Sequence, residues 1–60
     1  MGEQEMIQKN IEEFSRLQTY MQLSEKDSPA YAAMYERYID LKVILTSSGV
    51  NLIEIDRIKS

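Results

Sequence analysis

The segment SEKDSPAY, residues 24–31, divides the chain into two amphipathic stretches of nearly equal length. Ser28 followed by Pro29 reads as a helix N-cap and first helical residue: the serine hydroxyl accepts from a free first-turn amide, and proline has no amide to leave unpaired there. A single uninterrupted helix is excluded. The chain has to turn back, and two helices of matching length then form an antiparallel hairpin.

Before the break, Ile7, Ile11, Phe14, Leu17 and Met21 recur at steps of four, three, three and four, lining one side of a helix. Glu5 with Lys9 and Glu12 with Arg16 fall on the opposite side as i,i+4 pairs, acid first, each worth about 0.2–0.5 kcal/mol. After it, Tyr31, Met34, Tyr38, Leu41 and Leu45 recur at the spacing of a helix-packing seam. The pattern predicts helix 1 over residues 3–23, a turn over 24–28 and helix 2 over 29–48. Antiparallel pairing sets Ile7 and Ile11 near Leu41 and Leu45, and Leu17 and Met21 near Tyr31 and Met34. Asn10 and Gln18 fall at or inside the apolar stripe of helix 1. Each is either a solvated edge residue or a buried amide that fixes register.

Helix 2 has more apolar surface than one partner helix can cover. Ile39, Val43 and Ile44 lie outside its seam, with Ala32 and Tyr35 extending the side of Ile39 and Val43. Gly49 stands where a helix ends in the left-handed conformation, and Asn51 with Glu54 makes a capping box flanked by Val50 and Ile55 as a staple. These signals predict a short C-terminal third helix over residues 52–58, presenting Leu52, Ile55 and Ile58. One or two turns cannot hide a helix face. The expected fold is therefore all-α: an antiparallel helical hairpin with a short third helix, one domain over residues 1–60, dimerising into a four-helix bundle through the second face of helix 2.

Composition narrows the chemistry. With neither cysteine nor histidine, the chain has no disulfide, no thiolate or imidazole zinc site and no cysteine nucleophile. A domain of this length buries only about 60% of its unfolded surface, so of the common staples oligomerisation is the one left. Carboxylates such as Glu12, Glu13, Glu36 and Asp40 are the abundant reactive type, but a carboxylate-bridged dimetal bundle draws on Glu-x-x-His motifs that this chain lacks. No enzyme activity, metal, cofactor or small-molecule substrate is expected. The aliphatic run at residues 43–45 is too short for a bilayer. The opening MGEQEM lacks signal-peptide features, and Met6 stands where a myristoylation motif wants Ser or Thr. A cytoplasmic protein without membrane contact is expected.

The net charge of −3 is carried entirely before Pro29, and no basic stripe follows a phosphate backbone. Residues 41–59 do place Ile44, Gly49, Val50, Ile55 and Ile58 at helix-turn-helix spacings. They depart from that motif at Leu45, Ser48, Leu52 and Ile53, and Glu54 and Asp56 would repel phosphates. The expected function is a non-enzymatic protein–protein interaction module, regulatory or adaptor, that occludes or bridges a partner through an apolar helix face. Its interface residues are Tyr31, Tyr35, Tyr38, Ile39, Val43, Ile44, Leu52 and Ile55, and its partners a second copy and another protein, with a basic surface suiting the acidic first helix. One alternative is a dimeric nucleic-acid-binding regulator using Arg57 and Lys59. Another is a structural subunit of a larger assembly.

Overall fold

A computed structural model of the chain describes residues 2–59, with Glu3 described in its backbone only. Two helices account for most of them: α1, Glu3–Leu23, and α2, Pro29–Ser47. They pack against each other as a hairpin, and among the described residues there is no strand. Both helices begin and end within a residue of the positions their patterns predict. The break works as Ser28 and Pro29 require: the Ser28 Oγ accepts from the Tyr31 amide at 3.1 Å, and its carbonyl accepts from Ala32 at 3.1 Å to open the helical ladder. Upstream, the Ser24 amide closes α1 on the Met21 carbonyl while the Ser24 hydroxyl bonds that of Tyr20.

The core is a short ladder of fully buried side chains, Phe14 and Met21 from α1 and Tyr38, Leu41 and Leu45 from α2. The Phe14 and Tyr38 rings lie nearly parallel, their planes 7° apart and their centroids 5.4 Å apart. Tyr35 tilts against Tyr38, and Tyr31 stacks on Tyr35, so the aromatic sector of α2 is a continuous pile within the hairpin. Ile11, Leu17, Tyr31 and Met34 flank it half-buried. The centre of the α1 seam is thus Phe14, Gln18 and Met21, one residue round from the Leu17 that the step pattern favours.

α2 ends in a Schellman motif: Gly49, at φ +86°, donates to Thr46 at 3.0 Å, and Val50 donates to Leu45 at 2.9 Å. A Cβ on Gly49 would meet nothing within 4 Å, so a side chain there is opposed by backbone conformation alone. Gly49→Ala is expected to cost about 1 kcal/mol, the left-handed penalty of an L-residue, with helicity unchanged; a thermal melt followed by circular dichroism measures it.

The third helix expected over residues 52–58 does not form; the chain makes one turn, with Leu52 accepting from Ile55 and Asp56. Two local interactions account for the difference. Asn51 accepts from Ile53, two residues on, which makes an Asx turn in place of a helix cap. Farther along, the backbone groups that would extend a helix bond instead to Gln18 of α1. Residues 50–59 therefore form an irregular strap laid across the hairpin.

Candidate functional site

Gln18 is fully buried, and all of its amide bonding capacity that meets the strap goes to main chain. Its Nε2 donates to the Ile55 carbonyl at 2.8 Å, while its Oε1 accepts from the amides of Arg57 at 2.5 Å and Ile58 at 3.0 Å. Its position in the α1 seam, between Phe14 and Met21, points it at the groove the strap fills.

A second clasp lies on the α2 side, where Asp56 is held by three donors. The buried Tyr38 hydroxyl donates to Oδ1 at 2.6 Å, the Lys59 amide donates to the same oxygen at 2.9 Å, and the Lys42 ammonium lies 3.2 Å from Oδ2. The Lys42 amine also sits 5.1 Å from the Tyr38 ring centroid, within cation–π range. Burial pushes the Asp56 carboxyl up, but the Tyr38, Lys59 and Lys42 donors outweigh it and hold it below the ordinary aspartate value. Burial likewise pulls Lys42 down, and Asp56 with Tyr38 more than restores it, so the ammonium titrates above the ordinary lysine value. A third tie runs from the Arg57 guanidinium to the Ser15 carbonyl and the Thr19 hydroxyl of α1. Between these polar ties Leu52, Ile55 and Ile58 pack onto the core cluster, and no buried side-chain nitrogen or oxygen of the described residues lacks a partner.

The eight expected interface residues divide. Tyr38 is core, and Tyr31, Tyr35, Leu52 and Ile55 are half-buried against it. Ile39, Val43 and Ile44 stay on the surface, Val43 being 61% exposed. They do not share one patch: at roughly 100° per residue, Val43 and Ile44 face directions about a quarter-turn apart. Ile44 lines an open depression with Met6, Ile7, Asn10, Ser47 and Ser48. Ile39 and Val43 lie on the other flank of α2, beyond Lys42 and the strap. Arg57 faces Ser15 and Thr19, and Lys59, with φ +59°, lines an open depression with Lys42, Leu52, Ile53 and Asp56.

Two elements of this arrangement were missed by pattern reading. The Glu13–Arg37 pair bridges the helices on the flank opposite the strap, with both bonds at 2.8–3.0 Å. The hydrogen bond from Arg37 holds Glu13 below its ordinary value. Neither residue is an i,i+4 neighbour of the other, so helical spacing offers no sign of it. Asp56 is the other, read as a charge unsuited to phosphate and found clasped against the hairpin. Among the described residues no group of three or more acidic, histidine or cysteine side chains is placed to hold a metal, and no helix is long and apolar enough to cross a membrane. No family model matches the chain, and neither the curated proteins nor the solved structures provide a match.

Proposed function

We propose that the chain is a small, non-enzymatic protein–protein interaction module whose contact surface is the outer strip of α2 centred on Ile39 and Val43. The observation that supports this reading is the exposure of Val43 beside Ile39 on a flank of α2 that neither α1 nor the strap covers. α1 fills the seam of α2, and the strap fills the flank carrying Lys42. The next flank round keeps two β-branched side chains four residues apart in water, the spacing at which a helix face meets another helix.

The same strip, paired with its copy about a twofold axis, would join two hairpins into a four-helix bundle. With a different partner it would act by occlusion or bridging, with the acidic surface of α1 favouring a basic counterpart. The test is molar mass by light scattering over a concentration series for the wild type and Val43→Glu. A dimeric wild type and a monomeric variant of unchanged helicity are expected, the variant melting with the wild type diluted below its dimer range, since Val43 contributes little to the intrachain core. A folded wild-type monomer at every concentration sinks the bundle. A dimer that Val43→Glu leaves intact removes the strip from self-association.

A further inference from the structure

The ties between strap and hairpin have the chemistry of peptide recognition. Gln18 reads main chain, donating to one carbonyl and accepting from two amides, without regard to the side chains they carry. Tyr38 and Lys42 read a carboxylate, and the core cluster takes apolar side chains at Leu52, Ile55 and Ile58. None of these contacts requires strap and hairpin to belong to one chain.

We propose that the groove between α1 and α2 is a peptide-binding site, filled by the chain's own residues 50–59, and that it accepts the same segment from a second copy. A second copy carries the main-chain, apolar and acidic features in matching order, so the exchanged contacts reproduce the internal ones. Only the path through Ser48 and Gly49 has to change. Gly49 suits a hinge: its φ of +86° is one of several that glycine adopts freely, and no neighbour lies within 4 Å of where its Cβ would be. The exchange is reciprocal, each strap closing the other copy's groove, as in domain-swapped dimers. It uses surfaces distinct from the Ile39 and Val43 strip and stands independently of it.

Two full-length variants, both carrying Val43→Glu to silence the outer strip, test the proposal. One keeps the groove and disables the strap with Ile55→Asp and Asp56→Lys; the other keeps the strap and disables the groove with Gln18→Leu and Lys42→Glu. Mixed, they are expected to form a one-to-one complex of twice the monomer mass, with slow amide exchange restored at Arg57 and Ile58 of the strap-intact chain. Helical variants that remain separate on mixing overturn the proposal. Should either variant lose its helicity, amide exchange in the protein carrying Val43→Glu alone decides. The Arg57 and Ile58 amides are expected to exchange at least ten-fold faster than those of Tyr38 and Leu41 at low concentration, and to slow as concentration rises. Equal rates at every concentration would show a strap that opens only with the whole fold, and the proposal falls.

Discussion

Replacing Gln18 with leucine is expected to lower the melting temperature by roughly 12 to 24 °C, the shift that about 3 kcal/mol produces in a domain this small. Leucine fills much the same volume, so the loss is one of bonding. The Ile55 carbonyl and the Arg57 and Ile58 amides all lose their partner at a buried position. Each orphaned group costs about 1–3 kcal/mol if it stays dry. The strap can escape that cost by lifting into water, which gives up the packing of Leu52, Ile55 and Ile58, so the total is capped at the free energy of docking the strap.

A second substitution at the same position separates bonding from shape. Gln18→Glu keeps the two acceptor contacts but sets a carboxylate against the Ile55 carbonyl, where a donor is needed. Only the protonated carboxyl reproduces all three bonds of the amide, its hydroxyl donating to the Ile55 carbonyl while its carbonyl oxygen accepts from the Arg57 and Ile58 amides. The variant is therefore expected to be least stable near neutral pH and to regain stability as pH falls and the carboxyl becomes a donor. Melts of both variants between pH 7 and pH 4 check this. A Gln18→Leu protein that melts with the wild type would show that Gln18 does not hold the strap.

Gln18 also shows where the fold was legible in sequence and where it was not. The hairpin was readable because its signals are local: Ser28 and Pro29 start a helix whatever lies elsewhere, and the steps from Tyr31 to Leu45 repeat often enough to define one face. Gly49 was readable for the same reason, its left-handed conformation being set by the end of α2. The strap was not, because Asn51, Glu54 and the apolar positions at 52, 55 and 58 are locally good helix signals. They lose to Gln18, some forty residues earlier in the chain, whose amide bonds the very backbone groups that would propagate the helix. A glutamine between Phe14 and Met21 was the available sign, since a polar residue inside a seam needs partners if buried. Pattern alone could not say whether it was buried. The exposed strip followed a similar course: counting apolar residues outside the seam found Ile39, Val43 and Ile44, helical spacing sets Ile44 apart from the other two, and the position of the strap showed which flank is covered.

Asp56→Ala is expected to destabilise the fold by about 2 kcal/mol, because a hydrogen bond to a charged group is worth about 1.5–3 kcal/mol and the buried Tyr38 hydroxyl is left without its acceptor. The ammonium of Lys42 can still reach water, its side chain being 23% exposed, which keeps the loss below that of a fully buried pair. The same carboxylate sets an acid limit to stability. Its folded pKa lies below the unfolded value, so its contribution is present above the unfolded value and is lost as pH falls through the folded one. The wild type is expected to lose stability below about pH 4, where a free aspartate begins to protonate. Asp56→Asn keeps an oxygen for Tyr38 and for the Lys59 amide and removes only the titrating charge, so it should start lower near neutrality and lose less on acidification. Glu13 titrates in the same direction, but it and Arg37 are 40% and 46% exposed, so solvent screens the pair. Glu13→Gln should therefore follow the wild-type pH profile closely. Melting curves of the three proteins from pH 7 to pH 2 decide the matter. If Asp56→Asn retains the full acid limb and Glu13→Gln loses it, the clasp that matters is the one between the helices and not the one on the strap.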